Sequence, residues 1–173
     1  MKRKAPRTRL AALVDRLSFY EWAYGHLAEG DSDIGAIGEF MVARTLGCLP
    51  PSRKAQALYD LVTSGGVTIE VKTTSKKSFP ERAGGYYRWS VKDQAECLAG
   101  RRPLAEVWVF LAAEFPPEAA ATARFDVFDP RYWTAYVARG EAVRSLGASH
   151  SVSEKGLARL GVAPVPLAEL SLP

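Results

Sequence analysis

The sequence predicts a single domain of the α/β class, in which a mixed β-sheet is flanked by α-helices. Segments with the apolar spacing of helices alternate along the chain with short segments of strand character. The chain has 173 residues, which suits one domain and is long enough to bury a core. We therefore expect residues 10–173 to form one domain, preceded by a disordered basic arm at residues 1–9.

The first half of the chain is predicted to contain two helices and two strands. Apolar residues at helical spacing indicate helices over residues 10–29 and over residues 34–46. A short strand is expected at residues 58–62. A firmer one is expected at residues 67–73, where apolar and polar residues alternate after two glycines.

The second half is predicted to alternate strands with helices. Ser90 is in position to cap a helix that runs to Ala99. Asp129, followed by a proline, is expected to open a helix that continues to about Ala138. Short turns are expected in the tail. The segments predicted to be extended are residues 86–90, 106–112 and 123–129.

Positive charge is concentrated in two places. The net charge is +4, and the first nine residues hold five basic residues and no acid. A second basic region runs from Lys72 to Lys92, with Glu81 as its only acid; its part at 75–85 is expected to be a loop. Such regions suit binding to a phosphate backbone, although a solubilising tail and a solvated loop have the same composition. The candidate nucleic-acid contacts are Lys76, Lys77, Arg82, Arg88 and Ser90.

Several classes of protein are disfavoured by the composition. The two cysteines, Cys48 and Cys97, form no CxxC pattern, so neither a zinc site nor a disulfide framework is indicated. His26 and His150 are the only histidines, and asparagine is absent, which disfavours histidine-based zinc sites and His–Asn–His nucleases. No apolar run approaches the ~20 residues that span a bilayer, and we expect a cytoplasmic protein.

The strongest candidate site lies on the strand at residues 67–73. Side chains alternate across a strand, so Glu70 and Lys72 share one face, about 7 Å apart. A three-residue loop at residues 64–66 would pair Asp60 with Glu70 on that face, and such loops often contain a left-handed glycine. A two-residue turn would put Asp60 on the wrong face, whereas a five-residue loop would also serve.

This set of side chains has a definite chemistry. Two neighbouring carboxylates repel each other, and a divalent cation relieves the repulsion. Hard oxygen ligands suit Mg²⁺, which acidifies a bound water and neutralises charge on phosphorus. A nearby ammonium orients or deprotonates that water. Asp60, Glu70 and Lys72 are therefore candidates for a phosphodiester-cleaving site.

The pattern resembles a known family. Asp60, nine further residues, and then Glu70, Val71 and Lys72 are similar to the motif of the PD-(D/E)XK nucleases, the restriction-endonuclease-like superfamily. A helix before the first acid often supplies another glutamate in that family, and Glu39 is the matching residue here. The resemblance extends from about residue 34 to residue 111. A tyrosine stands in place of the proline that gives the family its name, and that proline is often absent.

The resemblance implies a restriction-endonuclease-like fold and a Mg²⁺-dependent DNA endonuclease, with Mn²⁺ able to substitute. Asp60, Glu70 and Glu39 are then metal ligands, Lys72 serves the attacking water, and Glu39 acts through a second metal or a water. It also implies a homodimer, of restriction type or from a mobile element or phage, whose motor or specificity subunit would be a separate chain. The alternatives are a repair or junction-resolving nuclease, an RNA nuclease, and a non-catalytic nucleic-acid-binding module.

Overall fold

The fold is built on a mixed β-sheet with both faces covered. The computed structural model describes residues 34–49, 58–75, 77–79, 82–114, 128–147 and 151–173. In chain order its elements are α1 (Ile34–Leu46), β1 (Leu61–Val62), β2 (Thr68–Ser75), β3 (Lys77–Phe79), β4 (Arg82–Tyr86), β5 (Arg88–Ser90), α2 (Lys92–Leu98), β6 (Val107–Ala113), a 3₁₀ turn (Pro130–Tyr132), β7 (Trp133–Arg139), α3 (Gly140–Arg144), β8 (Ser151–Ser153), α4 (Glu154–Arg159), β9 (Pro164–Pro166) and a second 3₁₀ turn (Leu167–Glu169). Within those ranges, no helix is both long and apolar enough to cross a membrane.

The expected mixed α/β architecture is confirmed. In the described part of the chain, the main sheet has the strand order β1-β2-β6-β7-β9, and only β2 and β6 run parallel. The register of this parallel pair is fixed where β6 begins. The backbone N–H of Thr68 donates to Glu106 Oε2 at 3.0 Å, and Thr68 Oγ1 accepts from the Glu106 N–H at 3.0 Å.

One face of the sheet packs on α1. Every side chain of β6 is buried, and alternate ones, together with Ile69 and Val71 of β2, join Phe40 and Met41 of α1 in one apolar cluster. The helix approaches β2 closely at Gly38, where a Cβ atom would lie 1.9 Å from Thr73 Oγ1. A glycine inside a helix costs about 1 kcal/mol relative to alanine, and this close approach accounts for its presence here.

The opposite face carries an aromatic cluster. Trp89 is 1% exposed, and its ring centroid lies 5.2 Å from that of Tyr136 and 5.7 Å from that of Phe110. Its indole Nε1 donates to the carbonyl oxygen of Leu111 at 2.7 Å. Trp89 therefore links β5 to the middle of β6 and belongs to the core.

Three structural predictions were wrong. The segment at 75–85, expected to be a loop, contains β3 and β4, which pair as an antiparallel hairpin. The helix expected to begin after Asp129 and run to 138 is a single 3₁₀ turn followed by β7. Asp129 does cap that turn by accepting from the Arg131 N–H. Ser90 lies in β5, and Val91 occupies the N-cap of α2 with no side-chain cap.

The error after Asp129 has a definite physical cause. Residues 133–139 read Trp-Thr-Ala-Tyr-Val-Ala-Arg, and aromatic and β-branched residues suit a strand once a neighbouring strand is present. Here β6, all of whose side chains are buried, pairs with β7 along its whole length. Tertiary pairing thus overrides a correct local cap. The basic arm, the helix expected at 10–29, most of the strand expected at 123–129, and Lys76 lie outside the described residues.

Candidate active site

The β1–β2 hairpin has the register that the candidate site requires. The backbone of Thr63 bonds to that of Val67 at 3.0 Å, which leaves a three-residue loop at 64–66. Gly66, the last residue of this loop, has a φ of 89°, in the left-handed region that favours glycine. β1 pairs with β2 at Leu61–Ile69 and at Val62–Thr68, the register that a three-residue loop gives. Asp60 lies just before these pairs, and its direct pairing with Glu70 stays a prediction.

Asp60 is held against β2 by a backbone hydrogen bond. Its Oδ2 accepts from the N–H of Val71 at 2.7 Å, and its own N–H donates to the carbonyl oxygen of Ile69 at 3.1 Å. The residue is half-buried. Its carboxylate is close enough to Glu70 that its negative charge helps to raise the pKa of Glu70. The hairpin therefore brings the two acids together.

Glu70 is the buried centre of the site. It is 2% exposed, and each of its oxygens accepts from a different cation. Lys72 Nζ lies 2.6 Å from Oε1, and Arg102 Nη2 lies 3.0 Å from Oε2. Burial and then the charge of Asp60 raise the pKa of Glu70, while Lys72 and Arg102 oppose that rise. The cluster thus balances two carboxylates against two cations.

Lys72 lies between Glu70 and the aromatic face of the sheet. Its side chain is 19% exposed, and Nζ lies 5.8 Å from the ring centroid of Trp108. At this distance the π-system of Trp108 attracts the ammonium. The indole Nε1 of Trp108 is buried and has no hydrogen-bond partner among the described residues. The Lys72 ammonium is therefore positioned by both the Glu70 carboxylate and the Trp108 ring, and its side chain remains partly exposed to solvent.

Arg102 is a member of the site that the sequence did not reveal. Its Nε and Nη2 donate to the carbonyl oxygen of Leu58 at 3.1 Å and 2.8 Å, and Nη2 also donates to Glu70. The position of Arg102 in the site follows from the sheet topology. Because β6 is parallel to β2, the loop before β6 arrives beside the start of β2.

Glu39 is placed on the other side of the sheet. It is half-buried on α1, which packs on the face formed by Ile69 and Val71, whereas Glu70 points to the opposite face of β2. In the ranges described above, no group of three or more His, Cys, Asp and Glu side chains is arranged to hold a metal ion. The structure thus brings together Asp60, Glu70 and Lys72, and it leaves Glu39 on a separate element.

The candidate nucleic-acid contacts follow β2 along the chain. Arg88 and Ser90 are exposed on β5, which pairs with β8. Lys77 begins β3 and Arg82 begins β4, so both lie on the hairpin that continues from β2. Lys76 is outside the described residues. The basic region is therefore connected directly to the strand that carries Glu70.

The chemistry of this site rests on the side chains themselves, since neither a protein-family model nor a curated protein matches the chain. Two close carboxylates offer hard oxygen donors of the kind that bind divalent cations. An ammonium beside them can donate to an anionic oxygen and to Glu70 at the same time. A partly open cluster of this composition is suited to handling a phosphate diester.

Proposed function

We propose that this protein is a metal-dependent endonuclease that hydrolyses phosphodiester bonds in DNA, with the restriction-endonuclease-like fold. One observation carries the proposal. The β1–β2 hairpin brings Asp60 close enough to Glu70 for its charge to act on that carboxylate, and Lys72 bonds to Glu70 at 2.6 Å. These residues form the motif that suggested the activity, and their contacts make it a spatial cluster.

The donor set fits a divalent cation. Asp60 and Glu70 supply carboxylate oxygens, which Mg²⁺ and Mn²⁺ prefer. The repulsion that helps to raise the pKa of Glu70 is of the kind that such a cation relieves. Asp60 and Glu70 would hold the metal. When bound, Mg²⁺ supplies an acidified water and neutralises charge that develops on phosphorus.

The remaining residues have roles that follow from their positions. Lys72 donates to Glu70 and can donate in the same geometry to a phosphate oxygen or to the attacking water. The ring of Trp108, 5.8 Å from Nζ, restricts where the ammonium can point. Glu39 would assist through a second metal or a water only by reaching past the edge of β2, because α1 covers the other face.

The basic residues supply the affinity for nucleic acid in this proposal. Arg88 and the basic β3–β4 hairpin would contact phosphates, which fixes position without reading sequence. We propose DNA as the substrate, in a cytoplasmic homodimer that cuts one strand per subunit, with a restriction-type or mobile-element role. A motor or specificity subunit would be a separate chain.

The test is cleavage of supercoiled plasmid DNA in the presence of Mg²⁺. The wild-type protein should nick or linearise the plasmid, and EDTA should stop it. Lys72→Ala should lower the rate by at least about 10²-fold, the usual contribution of a group that transfers or orients protons. Lys155→Ala is the matched control, since Lys155 is an exposed lysine on α4 and its loss should leave the rate unchanged.

The outcomes discriminate between sites as well as activities. Cleavage that survives Lys72→Ala and Glu70→Gln would show that this cluster is not the active site. If Lys155→Ala loses cleavage together with Lys72→Ala, the positive charge of the surface, and not this cluster, limits the reaction. Folding of each variant is checked by circular dichroism, so that loss of activity is not mistaken for loss of structure.

A second candidate function is a non-catalytic module that binds nucleic acid. The observation in its favour is that both oxygens of Glu70 already accept from cations, at 2.6 Å and 3.0 Å. In such a module the cluster only connects β2 to the loop before β6. The expected result is then a gel shift that weakens steeply with salt, with no cleavage under any metal.

A further inference from the structure

The guanidinium of Arg102 occupies the side of Glu70 that Lys72 leaves open. Glu70 is 2% exposed, and a carboxylate removed from water to this extent needs compensating charge. Lys72 bonds to Oε1 and Arg102 to Oε2. The cluster therefore sets two acidic side chains against two basic ones.

The same guanidinium also restrains the chain that leads into Asp60. Leu58, two residues before Asp60, accepts from both Nε and Nη2 of Arg102. One side chain thus bonds to the β1 side of the hairpin and to Glu70 on β2. Arg102 is only 19% exposed, so its position is defined by packing as well as by these bonds.

We propose that Arg102 is the resident counter-cation of this site, which holds Glu70 and the Leu58 carbonyl in the metal-free protein and competes with a divalent metal for Glu70 Oε2. The inference rests on the proposed function, because it assigns a role toward the metal of that site. Arg102 is a positioning residue in this scheme. Binding of a metal requires the guanidinium to withdraw from Oε2, which leaves it available to an anionic phosphate.

The scheme predicts an unusual direction of effect. Removal of a positioning residue normally weakens a metal site, but removal of a competing charge strengthens it. With Arg102→Gln, affinity for Mn²⁺ should rise by at least about tenfold, since a positive charge a few ångströms from the metal is lost. Arg102→Lys keeps the charge and should bind Mn²⁺ within about threefold of the wild type.

Isothermal titration of the full chain with Mn²⁺ measures this effect directly. Arg101→Gln is the matched control, because Arg101 precedes Arg102 in the chain and pairs with Glu96 at an exposed position. Its Mn²⁺ affinity should equal that of the wild type. Equal or weaker binding by Arg102→Gln would overturn the inference, as would a tenfold gain in Arg102→Lys.

Failure of the inference is distinguishable from failure of the proposed function. Suppose that the wild type binds Mn²⁺, that Glu70→Gln abolishes this binding, and that Arg102→Gln does not strengthen it. The proposed role of Arg102 would then be wrong, and the proposed metal site would still stand. If neither the folded wild type nor Arg102→Gln binds Mn²⁺ saturably, both the role of Arg102 and the proposed metal site are wrong.

The wild-type protein provides a second measurement that needs no folded variant. The Nε–H of Arg102, which donates to Leu58, has its own nuclear magnetic resonance signal. Saturating Mg²⁺ should shift this signal and speed its exchange with water, because the guanidinium withdraws. The Nε–H signal of Arg101 should stay in place. An unchanged Arg102 signal at a Mg²⁺ concentration that saturates the protein would overturn the proposal.

Discussion

Replacement of Gly38 by alanine should loosen α1 from the sheet. The added Cβ would lie 1.9 Å from Thr73 Oγ1 and 2.9 Å from both Thr73 Cβ and Cγ2. Rotation of Thr73 moves Oγ1 and Cγ2 but not its Cβ, so the backbone must also shift. Overpacking of this kind costs about 3 kcal/mol at the upper end of its usual range, and alanine restores about 1 kcal/mol of helix propensity. The net loss of unfolding free energy is about 2 kcal/mol.

Urea unfolding followed by tryptophan fluorescence measures this loss as a lower midpoint at constant slope. The matched control is Gly65→Ala, where an added Cβ would contact only Thr63 Oγ1, at 3.7 Å. That variant should stay within about 0.5 kcal/mol of the wild type. Adding Thr73→Ala to Gly38→Ala should recover part of the loss. A Gly38→Ala protein as stable as the wild type would refute the close packing of α1 on β2.

Three further predictions concern the core. Gly140→Ala should lower the free energy of unfolding by at least about 3 kcal/mol, because the added Cβ would lie 2.1 Å from the carbonyl oxygen of Ala105, which cannot rotate away. Thermal unfolding measures this loss, and an unchanged stability would contradict the packing. Trp89→Phe should cost about 3 kcal/mol in urea unfolding, since it leaves the buried Leu111 carbonyl without the 2.7 Å indole bond and creates a cavity. Burial raises the pKa of Cys48 from 9.0 to about 11, so its thiol should react with a disulfide reagent at pH 8 about 100-fold more slowly in the native protein than in urea. Because the folded pKa is the higher one, the contribution of Cys48 to stability should be lost as pH rises from 9 to 11, and Cys48→Ala should flatten that part of the profile.

The parts of the site that depend on local sequence could be predicted. Alternation along β2 identifies the face that Glu70 and Lys72 share, and two glycines limit the loop lengths that the hairpin can adopt. The three-residue loop was chosen from those two facts together with the requirement that the acids meet.

The rest of the site depends on contacts between segments that are distant in the chain. Arg102 is 32 residues from Glu70, and its role follows only from the parallel pairing of β2 with β6. The error at residues 133–139 has the same origin. The cap at Asp129 is correct, but it carries no information about β6, the distant strand with which these residues pair. Glu39 shows the limit of spacing as a guide. Its helix was predicted correctly, but the face of the sheet that the helix covers is decided by packing.

The placement of Glu70 is itself an argument for a functional role. The sheet face around it is aromatic, with Trp108 as its neighbour in register on β6, and an apolar residue would pack there without charge. A buried carboxylate instead needs Lys72 and Arg102, and pairs of this kind are often no more stabilising than apolar residues of similar volume. Asp60 adds a second negative charge that opposes the ionisation of Glu70. Stability alone therefore does not account for this cluster, whereas a site that must accept a cation and an anionic diester requires both signs of charge at close range.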